Sequence, residues 1–91
     1  MISLTGFILK ILTPDEIVID QEVKKIIVRT TEGDVGILKN HVNYIAAIKN
    51  GPIKIFFLDD SILEATLKDG FISVINNKAV IMILSYNKIL N

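Results

Sequence analysis

Thr30-Thr31-Glu32-Gly33-Asp34-Val35-Gly36-Ile37-Leu38-Lys39-Asn40-His41 is the stretch that decides the fold. Gly33 and Gly36 stand three apart, two carboxylates flank the first of them, and the apolar pair Ile37-Leu38 follows. Glycine reaches positive φ without the Cβ clash that other residues meet, and carboxylates seek water. A tight, solvated turn between two strands satisfies both requirements. His41, which closes the stretch, is the only histidine in the chain.

Outward from this turn, short runs rich in Ile and Val are broken at regular intervals. The breaks are Thr13-Pro14-Asp15, Asp20-Gln21, Glu32-Gly33-Asp34, Asn50-Gly51-Pro52, Asp59-Asp60, Asp69-Gly70 and Asn76-Asn77. They delimit nine expected strands, over 4–12, 16–20, 23–31, 34–38, 44–49, 53–58, 62–67, 70–75 and 79–84. Strands of this length and spacing predict an all-β, two-layer antiparallel sandwich of about eight to ten strands. Asn76-Asn77 suits a two-residue hairpin, because Asn tolerates positive φ. Asp59-Asp60 suits one less well. A two-turn helix over His41–Lys49 is the weaker alternative to a strand there. Gly36, Gly51 and Gly70 are expected to serve structural turns. The expected domain covers 1–84, and 85–91 reads as a short mobile tail.

Ninety-one residues make one small domain. Area scaling leaves roughly 5,300 Å² exposed out of roughly 14,600 Å² in the unfolded chain. Yet 51% of the residues are hydrophobic. So much apolar surface is hard to hide in a core this small, which predicts an exposed apolar patch and hence a partner surface. Ala79–Leu84 is apolar throughout, and Ile53–Leu58 is broken only by Lys54. A sandwich strand normally turns alternate residues to water. Strands without polar alternation imply that something else covers one sheet.

Several function classes are disfavoured. Ten basic and ten acidic residues cancel, so the basic footprint of a nucleic-acid binder is missing. Without cysteine, one histidine cannot assemble a usual zinc set. No G-x-x-x-x-G-K-[ST] phosphate loop and no nucleophile elbow occurs. No catalytic residue, metal ligand or cofactor is therefore expected. A small ligand-binding or enzymatic barrel would need a pocket that gathers His41 with buried carboxylates. The bland reading of His41 is a loop residue whose ring satisfies a nearby backbone group.

Residues 4–84 resemble, in order, the N-terminal β-sandwich domain of the ε subunit of F-type ATP synthases. The resemblance rests on Leu9-Lys10-Ile11-Leu12-Thr13-Pro14, Val23–Thr31, Glu32-Gly33-Asp34-Val35-Gly36-Ile37-Leu38, His41, Ala46–Ile53, Asp69-Gly70-Phe71 and Lys78–Leu84. It departs where the family commonly places proline beside the histidine, since Lys39, Asn40, Val42 and Asn43 stand there. Asp69 replaces the first of a glycine pair. The family's two-helix C-terminal domain is absent from these ninety-one residues.

The resemblance implies a non-catalytic rotor part that joins the γ subunit to the membrane c-ring and couples ion translocation to rotary ATP synthesis. It implies that Glu32, Gly33 and Asp34 form the c-ring-facing loop and that His41, Tyr44 and Ile45 face γ. It also implies a peripheral position at the cytoplasmic face of a bacterial cell membrane, with membrane contact only through the complex. From composition and pattern alone, a generic β-sandwich interaction module is the alternative.

Overall fold

The structure, a computed structural model, describes residues 5–89. It contains six strands: β1 (Phe7–Leu12), β2 (Ile17–Thr30), β3 (Gly33–Leu38), β4 (Tyr44–Phe57), β5 (Ile62–Ile75) and β6 (Lys78–Lys88). All pair antiparallel except β1 with β6. The hydrogen-bonded order β1-β6-β5-β4-β2-β3, with β1 also pairing β2, closes a ring to which β3 is appended.

The expected strand count is corrected from nine to six because three expected breaks lie inside continuous strands. Segments 16–20 and 23–31 join in β2, 44–49 and 53–58 in β4, and 62–67 and 70–75 in β5. In β2 the register runs evenly through Asp20-Gln21 and shifts only at Val23/Lys25, whereas at the breaks in β4 and β5 the chain bends and the inward-facing parity flips. In β4, Ala46 and Ile48 face the core before the bend, and Ile53 and Ile55 after it. In β5 the inward residues change from Ala65 and Leu67 to Ile72 and Val74. Side chains alternate with period two, so one extra residue moves the inward set to the opposite parity. The register shift between Val28 and Thr30 marks such an irregularity opposite Lys49–Pro52. Asp69 takes a φ of 57° at the β5 bend, and its N–H donates to Asn50 Oδ1 at 3.0 Å.

The bends fold the ring into two layers. One, the first layer below, contains β1 with the halves of β2, β4, β5 and β6 that pair around it. The other, the second layer, contains β3 with the remaining halves. Each layer thus holds five strand segments. Phe7, Leu9, Ile11, Ile72 and Ile81 meet Ile26, Ile37, Ile53, Ile55 and Leu67 in one core. The helical reading of His41–Lys49 is corrected to strand from Tyr44 onward. Paired on the sheet, Ala46 and Ile48 reach this core.

The boundary at Leu84 also needs correction. Ser85–Lys88 continue β6 and pair with Lys68–Ala65, and Ile89 N–H donates to Glu64 O at 2.9 Å. The half-buried Tyr86 ring packs against the core, which keeps this segment in the sheet. Residues 90 and 91 of the expected tail, and 4 of the first expected strand, lie outside the described residues.

The glycine assignments change for a related reason. Gly36, Gly51 and Gly70 lie inside β3, β4 and β5, and none is a turn residue. The turn glycine is Gly33, at φ 105°. Gly70 is instead a site of close backbone approach, where an added Cβ would lie 2.0 Å from Met82 O. Asn76-Asn77 forms the expected hairpin, with both residues at positive φ. Asp60 is also at positive φ, in a longer loop closed by Phe57 N–H on Ser61 O.

One carboxylate ties down the start of the sheet. Glu22 Oε2 accepts from Gly6 N–H at 2.8 Å, from Thr5 N–H at 2.9 Å and from the Thr5 hydroxyl at 3.1 Å. The Gly6 N–H, then the two Thr5 donors and the Lys39 charge, hold this carboxyl below its ordinary 4.5 against an opposing desolvation effect. A folded-state pKa below the unfolded one stabilises above the unfolded value, and the contribution disappears as pH falls through the folded one. Glu22→Gln is therefore expected to be less stable than the parent at neutral pH. That gap should shrink as pH falls below 4.5. Urea unfolding of both chains across this range checks it, and a gap independent of pH would exclude the carboxylate as its cause.

Candidate functional site

The two layers present opposite surfaces to solvent. On the second layer, polar and charged side chains dominate. Arg29 Nε donates to Asp34 Oδ1 at 3.0 Å, and Lys54 Nζ stands 3.6 Å from Glu64 Oε1. Phe56 is flanked there by Lys25 and Lys54, each 5.7 Å from the ring centroid. Ile53–Leu58 therefore does not form a bare apolar outer face. Exposed ion pairs add little stability, but they keep such a surface wet.

On the first layer, the outward positions around Phe71 and Met82 are apolar, while Ser73, Lys10 and Asp20 lie in the neighbouring row. Cross-strand register sets Ala47, Phe71, Met82 and Leu12 in one row over β4, β5, β6 and β1, and Leu12 in turn pairs Ile17. Phe71 is 63% exposed, Met82 59%, Leu84 67% and Ile45 74%. A shallow concavity of about 480 Å³ opens among Leu12, Pro14, Phe71, Met82 and Leu84, with Thr13 and Asp69 also in its lining. This is the covering surface that the apolar run Ala79–Leu84 anticipates: Ala79, Ile81 and Ile83 are buried, whereas Met82 and Leu84 face out. Sequence reading missed Met82 and Leu84 as surface residues. Their signal was the same run, divided by its period of two.

The acidic turn stands at one end of the sandwich. Gly33 begins β3, Glu32 and Asp34 are exposed beside it, and Asp34 sits opposite Arg29 in the ladder. Thr30, at 1% exposure, is the one buried polar side chain among the described residues. It organises the turn: its hydroxyl donates to Gly33 O and accepts from Glu32 N–H, both at 3.0 Å. Tyr44 reaches the same point, donating to Glu32 Oε1 at 2.8 Å and lying 3.2 Å from Thr30 Oγ1. Burial, with the Glu32 carboxylate beside it, raises the Tyr44 phenol above its ordinary value, partly offset by the Thr30 contact.

His41, Tyr44 and Ile45 are close in space but point differently. The His41 ring meets Tyr44 edge-on, with centroids 6.0 Å apart. His41 Nδ1 stands 2.7 Å from Val42 O, and because a carbonyl only accepts, this nitrogen carries the proton. The histidine thus satisfies a backbone group, as its bland reading expects. Tyr44 turns to the acidic turn, whereas Ile45 projects onto the apolar face. The structure joins Tyr44 to Glu32, two residues that the sequence reading set in separate zones.

Asparagines shape the loop before β4. Asn40, at φ 65°, donates its N–H to Asn77 Oδ1 at 2.6 Å and accepts from Asn77 Nδ2 at 3.2 Å. Asn76 N–H donates to Asn43 Oδ1 at 3.4 Å. Proline has neither this φ nor an N–H, so proline at position 40 is incompatible with this loop.

Among the described residues no group of three or more His, Cys, Asp or Glu side chains is arranged to hold a metal ion. No helix among them is long and apolar enough to cross a membrane.

Comparison with known proteins bears on the whole domain. The family model described as ATP synthase, Delta/Epsilon chain, beta-sandwich domain matches residues 6–87. The chloroplastic ATP synthase epsilon chains of Sorghum bicolor and Zea mays are each 42% identical over 74 residues, covering 81% of this chain and 54% of the relative. The chain therefore spans about half the length of these curated relatives. A chain of the Euglena gracilis mitochondrial ATP synthase (OSCP/F1/c-ring) superposes with a TM-score of 0.88 at 22% identity, covering 94% of this chain and 56% of that one. A chain of the Tetrahymena thermophila mitochondrial ATP synthase central stalk/c-ring structure does so at 0.78 and 16%, over 93% and 68%. At these identities the structural likeness speaks for the fold, and the sequence matches speak for descent. With a matching family model over nearly its whole length, the chain belongs to the β-sandwich domain family of the ATP synthase delta/epsilon chains.

Proposed function

We propose that this domain is a non-catalytic rotor element of an ATP synthase, seated on the γ subunit and touching the c-ring, which couples ion translocation to rotary ATP synthesis. The observation that carries this reading is the bare apolar row on the first layer beside a charged second layer, in a chain of this family. An apolar sheet face needs a large, stable partner, and γ is the partner we assign to it. Ile45 extends that face toward one end, and in this reading His41 stands at its rim, while Tyr44 braces the acidic turn from within.

The exposed Glu32-Gly33-Asp34 turn is the c-ring contact in this reading. Exposed carboxylates contribute about 0.2–1 kcal/mol per ion pair, enough to set register more than affinity. Torque transfer requires a stiff adaptor. A closed ring of strands around one densely packed core supplies that stiffness. We place the complex at the coupling membrane, with the domain on its cytoplasmic face in a bacterial cell and membrane contact only through its partners.

Calorimetric titration of the purified domain against its cognate γ subunit tests the reading. Saturable one-to-one binding is expected, and it should survive the Glu32→Ala/Asp34→Ala double substitution. Absence of binding at micromolar concentrations from a folded sample would return the domain to an interaction module with another partner.

A further inference from the structure

We propose that Met82 is an oxidation site for hydroperoxides, and that its sulfoxide disables the apolar face for docking, so that the unassembled chain carries a chemical off-switch. The inference rests on the γ-docking reading above.

Sulfur chemistry in this chain is confined to two methionines, and Met82 is the one among the described residues. It sits in β6 between the buried Ile81 and Ile83, yet is itself 59% exposed. Its position is central on the docking face: Leu12 pairs it on one side and Phe71 on the other. The concavity of about 480 Å³ beside it gives a small oxidant a path along the strand. Methionine oxidation follows access to the thioether.

The step is a two-electron oxygen transfer. The thioether sulfur attacks one peroxide oxygen, the O–O bond breaks and an S–O bond forms. The departing hydroxide collects the remaining proton, leaving water. The product replaces a soft apolar group with a strongly dipolar one that accepts hydrogen bonds. Polar neighbours in the same concavity do not supply a ready donor. Asp69 offers a carboxylate, and the Thr13 hydroxyl is already engaged with Glu16 O at 3.5 Å and Glu16 N–H at 3.3 Å. Covered by a partner, the sulfoxide oxygen is desolvated without a hydrogen bond, which opposes docking. The ladder hydrogen bonds of β6 are made by backbone groups, so the fold persists. Once γ is seated, the same sulfur is shielded.

The test treats the purified chain with hydrogen peroxide, confirms the Met82 sulfoxide by peptide mass and folding by circular dichroism, and measures γ binding before and after. About a tenfold loss of affinity is expected. Methionine sulfoxide reductase should restore it, and γ bound in advance should slow the oxidation. In Met82→Leu, which retains Met1, peroxide should leave that variant's own affinity unchanged. Equal binding by the folded, Met82-oxidised chain overturns the inference while leaving the docking reading intact. An equal peroxide effect in Met82→Leu also overturns it, by moving the chemistry elsewhere. Failure of the untreated chain to bind γ overturns the docking reading, and this inference with it.

Discussion

Gly70→Ala is expected to unfold most of the population, losing about 4 kcal/mol or more, which lies in the extreme tail of single substitutions. The added Cβ would lie 2.0 Å from Met82 O and 2.8 Å from Ile83 Cα, both backbone atoms of β6. No rotamer change relieves a clash with backbone. Moving β6 away would break the ladder at Gly70↔Ile83 and Phe71↔Met82, directly over the buried Ile72 and Ile81. A small domain has only about 5–15 kcal/mol in hand, so a loss of this size is decisive.

Gly36→Ala is the matched control. There the new Cβ finds only Lys25 Cε, at 3.8 Å, and φ is not positive. That substitution should be neutral or stabilise by up to about 1 kcal/mol, since alanine narrows the unfolded ensemble. Urea midpoints for the pair decide the matter. Similar midpoints for both variants would mean that β5 and β6 do not approach as closely as described.

Phe71→Lys is expected to weaken γ binding about 30-fold or more while leaving the urea midpoint nearly unchanged. Phe71 is 63% exposed, so the folded chain loses little packing when the ring is removed. In a docked complex the same ring would be a central aromatic anchor, and truncation of such anchors costs about 2 kcal/mol or more. A lysine there would also place a charge on the otherwise apolar row formed with Ala47, Met82 and Leu12. Lys54→Ala, on the charged layer, is the comparison, and it should leave γ affinity nearly intact. If Lys54→Ala weakens binding as much as Phe71→Lys, the docking face has been assigned to the wrong layer.

Much of the fold was legible in local chemistry. The hairpin at Asn76-Asn77 followed from the tolerance of Asn for positive φ, and both residues adopt it. The all-β class followed from short Ile- and Val-rich runs between turn residues. An uncovered apolar surface followed from the excess of hydrophobic residues over what a small core holds. The run Ala79–Leu84 even located it, because a sandwich strand without polar alternation leaves its outer side chains bare.

What stayed hidden depended on where the chain goes after a break. Asn50-Gly51-Pro52 and Asp69-Gly70 have the composition of turns, and locally nothing separates a turn that reverses the chain from a bend that carries it into the other layer. Partner strands decide between them, since β4 and β5 continue pairing on both sides of the bend and Asn50 receives the Asp69 N–H. The glycine roles were misassigned for the same cause: conformational freedom is a property of the residue, whereas the crowding at Gly70 comes from β6. Tyr44 meeting Glu32 is likewise a contact across twelve residues, created by the β2–β3 turn folding back beside β4. Residue types alone determined the strands, the turns and the apolar excess, because these arise from propensity and burial over a few neighbours. Only the tertiary structure decided which breaks are bends and which side chains face a partner, because both follow from long-range pairing.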